Sequence, residues 1–159
     1  MTRAFGEGEL KAFLARERGK VEEALHEALS RLLPRIPESV RPAVRHGVTS
    51  GGKRLRPILC VAAYRASGGR GEGIYSLAVS LELIHAYSLM HDDLPCMDDA
   101  ELRRGQPASH RVHGEALAVL AALLLIGVVV LSYAYAYAFT RIYTRPHTRV
   151  AASRSAWSA

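Results

Sequence analysis

The chain has few cysteines and little aromatic character. Its 159 residues include two cysteines, Cys60 and Cys96, which are too few for a disulfide-built fold and indicate a reducing, cytoplasmic setting. Residues 1–10 mix charged residues with glycines and hold no apolar segment, so a secretory signal is not expected. Apolar residues make up 49% of the chain and aromatic residues 7%, which is typical of a globular domain and excludes a disordered chain.

Acidic residues are missing from the last part of the chain. None follows Glu115, whereas acids and bases alternate before it, and the net charge is +6. The basic excess comes from four scattered arginines: Arg141, Arg145, Arg149 and Arg154. Because no nucleic-acid-reading motif surrounds them, we expect no nucleic-acid partner.

Strand patterns are almost absent, and helical spacing dominates. Apolar residues recur every three or four positions in residues 9–33 and 73–90. A second helix is predicted to start over residues 40–46, and a third helix is predicted over residues 57–66, with a glycine-rich basic turn at 49–57 between them. The sequence therefore predicts an all-α fold.

Residues 116–139 form an uncharged stretch that is long enough, as one helix of about 36 Å, to cross a bilayer. Within it, tyrosine and alanine alternate by two over residues 133–138, so the helical spacing is lost there. The residues beyond have no hydrophobic periodicity. The last part of the chain does not read as a continuation of the first.

Four carboxylates lie within eight positions: Asp92, Asp93, Asp98 and Asp99. Such groups repel one another when held close together, unless cations neutralise them. Oxygen ligands favour a hard cation, Mg²⁺ before Ca²⁺, that retains waters and shares a phosphate substrate. The alternative without a ligand is a solvated acidic loop after a helix. An EF-hand is excluded because its loop glycine and its final bidentate glutamate are missing at the required spacing.

Basic residues bracket this acidic segment. Arg103 and Arg104 follow it, and their guanidinium groups suit phosphate oxygens. Upstream, residues 51–57 (GGKRLRP) combine three cations with flexible glycines before a helix, which is typical of an anion-binding loop but not of a Walker loop. His85 lies seven residues before Asp92 and shares its helix face with it, as does Ser88. The pattern predicts a substrate with more than one diphosphate.

Three segments carry a family resemblance: GGKRLRP at 51–57, HAYSLMHDDLPCMDD at 85–99 and LRRGQP at 102–107. In this order and at these separations they closely resemble the short-chain trans-polyprenyl diphosphate synthases, the bacterial farnesyl and geranylgeranyl diphosphate synthases. The resemblance covers roughly residues 5–120. It implies an isoprenoid-synthase-type helical bundle, of which this chain holds the N-terminal half.

The resemblance also implies roles for the site residues. Asp92 and Asp98 would bind Mg²⁺ ions that hold an allylic diphosphate (dimethylallyl or geranyl), with Asp93 and Asp99 supporting them. Arg103 would contact the same diphosphate. The diphosphate of isopentenyl diphosphate would be held by four residues: Lys53, Arg56, His85 and Arg104. The resemblance implies head-to-tail condensation as the reaction, carried out by a homodimer.

In this family, bulk on the helix just before the acids limits the product length. Tyr87, with Ser88 beside it, favours a product of about fifteen carbons, farnesyl over geranylgeranyl. The simpler alternative is that Tyr87 is an aromatic residue of the core.

The sequence also departs from the family pattern. Asp99 is the last aspartate and Lys53 the last lysine, so the family's second aspartate-rich motif and the lysine before it are missing. We interpret residues 1–121 as the N-terminal part of a polyprenyl synthase domain and residues 122–159 as a divergent tail, for which a shifted reading frame is the simplest account. The chain as given is expected to be inactive, because one side of the metal site is missing.

Three other functions stay open at this stage. A noncatalytic partner subunit of an intact synthase fits the motifs. A small membrane protein spanning residues 116–139 explains the apolar stretch but leaves the motifs without a purpose. A terpene cyclase shares the acidic motif, but it would not need residues 51–57 to hold isopentenyl diphosphate.

Overall fold

The first helix, α1 (Glu7–Leu32), begins where Gly6 donates its backbone N–H to the Glu9 carboxylate at 3.0 Å. This computed structural model describes residues 6–143, with side chains through residue 138. Pro34 ends α1 in a 3₁₀ turn, Leu33–Arg35, and a second 3₁₀ turn, Glu38–Val40, leads into α2 (Arg41–Thr49). The predicted helix over residues 9–33 is confirmed, and so is a second helix that starts within residues 40–46. This second helix, α2, ends three residues beyond that range, at Thr49.

The next helices are α3 (Leu55–Ala66) and α4 (Ile74–Asp92), close to the predicted bounds. After α4 the chain forms a two-residue antiparallel ribbon, β1 (Leu102–Arg103) with β2 (Gln106–Pro107). A short helix α5 (Ser109–His113) and a long helix α6 (Glu115–Tyr143) follow. Apart from that ribbon, the regular elements of residues 6–143 are helical, which confirms the all-α prediction.

Two clusters of buried side chains hold the helices together. The larger cluster joins α1, α2, α4 and α6, and the smaller joins α1, α3 and α4. Gly47 of α2 lies against Met90 of α4 so closely that an added Cβ would come within 2.1 Å of the Met90 sulfur. Both clusters therefore use α4, which fixes the position of its C-terminal end and of the acidic segment that follows.

The expected loss of helix near Tyr133 is wrong, because α6 continues through the alternating tyrosines and alanines to Tyr143. Tyr133 and Tyr135 are each 74% exposed, so the period of two does not mark a strand with one buried face. Alanine is the strongest helix former, and within a helix the backbone bonds are satisfied without a neighbouring strand.

The first half of α6 is packed into the bundle. Its four buried residues are each at most 2% exposed: Ala118, Ala121, Ala122 and Leu125. By length and composition, the segment Glu115–Ala138 could span a membrane. A span over 116–139 would separate the buried side chains from α2 and α4, and residues 126–138 alone reach about 20 Å, short of the hydrocarbon core of about 30 Å. The membrane alternative stays a prediction.

Candidate diphosphate-binding site

The acidic segment folds back on the end of α4. After Asp92, the last residue of α4, the backbone N–H of Asp98 donates to the Asp92 carbonyl at 2.9 Å, and that of Asp99 donates to the Leu94 carbonyl at 3.1 Å. Leu94 is 4% exposed and anchors the loop in the core. Asp92 and Asp98 are thereby brought together, and both side chains are exposed.

Asp93 has a different environment from its neighbours. It is 3% exposed, and Arg103 of β1 binds it through two nitrogens, with Nε donating to Oδ1 at 2.8 Å and Nη2 donating to the same oxygen. This hydrogen bond is the main reason why the pKa of Arg103 is raised, and the charges of Asp98 and Asp92 add to the shift. The expected role of Arg103 toward an allylic diphosphate stays a prediction, because the structure pairs it with Asp93.

Asp99 is held on the other side of the loop. It adopts a left-handed backbone conformation with φ of +45°. Arg111 of α5 donates from Nη2 to its Oδ1 at 2.9 Å, and His110 Nε2 lies 3.6 Å from the same oxygen. Asp99 therefore points toward α5.

The basic loop and the β1–β2 turn meet through Arg104, which the family resemblance assigns to the same diphosphate as Lys53 and Arg56. Arg104 donates from Nη1 to the Gly51 carbonyl, and its guanidinium leaves no room for a Cβ on Gly52, which would lie 2.9 Å from Nη1. Gly52 also has a φ of +139°, where a side chain would be strained. Lys53, on the same loop, is exposed.

Arg56, His85 and Ser88 come together in one groove of about 480 Å³ between α3 and α4. Burial is the main reason why the pKa of His85 is lowered, and the positive charges of Arg56 and Arg104 lower it further. Burial also lowers the pKa of Arg104. Three of the four residues predicted to hold isopentenyl diphosphate thus influence one another electrostatically, and an anion placed among them would relieve their repulsion.

Arg54 and Glu82 were not among the predicted site residues, yet they support the basic loop from below. Arg54 has a left-handed φ of +51° at the start of α3, and its side chain is 2% exposed. It donates from Nη1 to Glu82 at 2.5 Å, from Nε to Glu22 at 2.8 Å and from Nη2 to the Val48 carbonyl at 3.1 Å. The available signal was Glu82 itself, a lone acidic residue among the apolar residues in the middle of α4.

Tyr87 and Ser88, the predicted chain-length residues, lie in different surroundings. Tyr87 is half-buried, packs on the larger core cluster and tilts against His91 with ring centres 5.8 Å apart. Ser88 donates to the His85 carbonyl at 2.9 Å and lines the groove with Arg56. The packing of Tyr87 agrees with a core aromatic, and its role in chain length stays a prediction.

The four carboxylates of the acidic segment differ in their ability to hold a magnesium ion. Among the described side chains, no group of three or more His, Cys, Asp or Glu residues is arranged to hold a metal ion. Two of the four carboxylates are paired with arginines, since Arg103 binds Asp93 and Arg111 binds Asp99. Asp92 and Asp98 remain as two exposed carboxylates on adjoining backbone. Two carboxylates suit a Mg²⁺ ion that keeps waters and shares substrate phosphates.

The fold and this arrangement define a helical protein with an acidic segment between two basic loops. The model of the family described as "Polyprenyl synthetase" matches residues 37–149. The chain belongs to this family. The match extends into the segment after residue 121.

Individual relatives agree with the family. Geranylgeranyl pyrophosphate synthase 12, chloroplastic, of Arabidopsis thaliana is 45% identical over 118 residues, which are 74% of this chain and 32% of that protein. A heterodimeric geranylgeranyl pyrophosphate synthase large subunit of the same plant is 45% identical over 114 residues, 71% of this chain and 29% of that protein. The chain thus spans about a third of the length of the curated relatives that it matches.

Solved structures show the same fold. The geranyltransferase of Legionella pneumophila superimposes with a TM-score of 0.70 and 36% identity, over 76% of this chain and 41% of that one. The predicted isoprenoid-synthase-type bundle is therefore confirmed for the part of the chain that is matched.

Proposed function

We propose that this chain provides part of the active site of a prenyltransferase that condenses isopentenyl diphosphate head-to-tail with an allylic diphosphate. The observation that carries the proposal is that Asp92 and Asp98 lie on adjoining backbone and act electrostatically on Arg103, while the next residue, Arg104, contacts the basic loop at Gly51. An acidic segment that can share a cation with one diphosphate, beside a cationic groove for a second, suits two diphosphate substrates. Family membership supports the same reaction.

The residues divide the work between the two substrates. Asp92 and Asp98 would hold Mg²⁺, which when bound neutralises the charge of the departing allylic diphosphate. Asp93 keeps Arg103 beside these carboxylates, where its guanidinium can reach the same diphosphate. Because Asp93 and Asp99 are paired with arginines, we assign both of them supporting roles.

The second diphosphate belongs in the groove of Arg56 and His85. The charge of Arg104 on the β1–β2 turn acts on His85, and the exposed Lys53 of the basic loop adds a further cation. Burial and the positive charge of Arg56 lower the pKa of His85. The negative charge of a bound diphosphate would act in the opposite direction and favour protonation of the imidazole. The chain then orients isopentenyl diphosphate so that its double bond faces the ionising allylic carbon.

The product length depends on the region around Tyr87. Its bulk, five positions before Asp92, favours a fifteen-carbon product. The sequence relatives named above are geranylgeranyl pyrophosphate synthases, so the proposed product differs from the one in their names. Dimethylallyl and geranyl diphosphate are the proposed allylic substrates. A homodimer is proposed from the family resemblance, and a cytoplasmic setting is proposed from the low cysteine count.

A second candidate function is that of a noncatalytic partner subunit. Large apolar side chains of α6 are exposed: Leu120, Leu123, Val130 and Leu131 at 51%, 56%, 56% and 71%. A relative of this chain is the large subunit of a heterodimeric synthase. Since the 159 residues contain a single aspartate-rich segment, we expect the polypeptide of this sequence to bind substrates with Mg²⁺ and to turn them over only with a complementary chain.

The direct test incubates purified protein with Mg²⁺, geranyl diphosphate and radiolabelled isopentenyl diphosphate, and measures both the label bound to the protein and the label that enters farnesyl product. Asp92→Ala removes a proposed magnesium ligand, and Glu38→Ala, at an exposed carboxylate on the 3₁₀ turn before α2, is the matched control. We expect no farnesyl product from the 159-residue polypeptide. A product that disappears in Asp92→Ala alone would support the reaction but overturn the expected inactivity, and isopentenyl diphosphate that does not bind at all would contradict the proposal.

A further inference from the structure

The segment after the β1–β2 ribbon is fixed to the bundle more firmly than an exposed loop would be. The backbone N–H of Ala108 donates to the Glu101 carbonyl at 2.9 Å, which closes the ribbon. His46 Nε2 of α2 lies 2.9 Å from the Pro107 carbonyl, and the His46 ring meets that of His113 edge-on at 5.3 Å. α5 is therefore a rigid support beside the acidic segment.

Two consecutive side chains of α5 face Asp99 from this support. Arg111 donates from Nη2 to Asp99 Oδ1 at 2.9 Å. The side chain of His110 is 4% exposed and its Nε2 lies 3.6 Å from the same oxygen, and neither of its ring nitrogens has a hydrogen-bond partner among the described residues. A buried imidazole that lacks any other partner is directed at this carboxylate.

The backbone conformation of Asp99 explains why its contacts with Arg111 and His110 matter for the acidic segment. Its φ of +45° is a conformation that aspartate tolerates better than most residues but that still costs energy. The backbone N–H of Asp99 donates to the Leu94 carbonyl at 3.1 Å, and the turn closed by this bond brings Asp98 next to Asp92, through the 2.9 Å hydrogen bond from Asp98 N to Asp92 O. Releasing Asp99 would free the loop to leave this turn.

We propose that Arg111 and His110 are positioning residues, which hold Asp99 as a tether so that Asp98 faces Asp92. In this assignment Asp99 is not a magnesium ligand, although it is the neighbour of one. The inference rests on the proposed function, because it concerns how the two ligand carboxylates are kept in place. Supporting groups that orient metal ligands typically change metal affinity about 10–100-fold when removed.

The test measures binding of inorganic pyrophosphate by the 159-residue chain at increasing Mg²⁺, by titration calorimetry. Arg111→Met and Asp99→Ala are each expected to raise the Mg²⁺ concentration required for half-maximal binding by about 10-fold. The double variant should be no weaker than either single variant, because both changes cut the same tether. Arg111→Lys should restore most of the affinity, since a cation can still reach Asp99.

Controls separate positioning from folding. Arg70→Met removes an exposed arginine before the N-terminus of α4, about 27 Å along that helix from Asp92, and should leave the Mg²⁺ dependence unchanged. Thermal unfolding of every variant is recorded in parallel. Arg111 and Asp99 have side chains 44% and 53% exposed, so their replacement should lower the melting temperature only slightly.

Several outcomes would overturn the tether. If Arg111→Met left the Mg²⁺ dependence unchanged while Asp99→Ala matched Asp98→Ala, Asp99 would be a direct ligand. Additive losses in the double variant, or a lower melting temperature without a change in Mg²⁺ dependence, would also contradict it. If Asp98→Ala itself had no effect on pyrophosphate binding, the proposed function would fail and the tether with it, which is distinguishable from failure of the tether alone.

Discussion

Replacing Glu82 with glutamine tests the buried support under the basic loop. Glu82 and Arg54 have side chains 4% and 2% exposed, and removing one partner of a buried ion pair typically costs about 3–5 kcal/mol. Glutamine keeps an oxygen that can accept from Arg54, and Glu22 still binds Arg54 Nε, so we expect the lower end, about 3 kcal/mol. For a chain of this length that is a decrease of about 6–12 °C in melting temperature.

The assay is thermal and urea unfolding of the variant beside two matched changes. Glu22→Gln alters the partner whose side chain is 29% exposed, and should cost about 1 kcal/mol because solvent screens it. Glu23→Gln alters an exposed neighbour and should stay within about 0.5 kcal/mol of the parent. A Glu82→Gln variant as stable as the parent, or one less affected than Glu22→Gln, would refute the reasoning.

Two further predictions concern stability. Burial and Arg56 lower the pKa of His85 below its usual 6.5, so the unfolded chain takes up a proton first as the pH falls. The free energy of unfolding therefore decreases from about pH 6.5 downward. Urea unfolding between pH 8 and 5 should show a shallower decrease in His85→Gln, and an equal slope in the parent and the variant would contradict this. Gly47→Ala should destabilise the protein by about 1–3 kcal/mol because the added Cβ meets Met90. Gly19→Ala on α1, where a Cβ has nothing within 4 Å, should stabilise it by about 0.5–1 kcal/mol. If thermal unfolding showed stability changes of the same sign for both variants, the packing argument would be refuted.

The helices that carry the site could be predicted because their signals are local. In α4 the spacing of apolar residues marks the helix, and Pro95 marks the turn after it. The meeting of the basic loop with Arg104 followed from the family resemblance. These features depend on neighbours in sequence or on a motif, and both can be read directly.

The remaining features depend on contacts between distant positions. Arg103 binds Asp93 because the ribbon with Gln106 turns the chain back, and a ribbon of two residues per strand has too few positions to show alternation. Arg54 at the start of α3 meets Glu82 in the middle of α4, so the lone acidic residue of α4 indicates a buried partner, but the sequence does not say which residue that partner is. The alternating tyrosines near residue 133 do not show the helix, because an exposed helix does not require hydrophobic periodicity.

The most direct test of the central claim is the equilibrium binding of geranyl diphosphate with and without Mg²⁺. The site described above predicts binding that requires Mg²⁺, that is lost in Asp92→Ala and in Asp98→Ala, and that is retained in Glu38→Ala. Binding that ignores Mg²⁺, or that is equal in all three variants, would contradict the assignment of these carboxylates to a diphosphate-binding site.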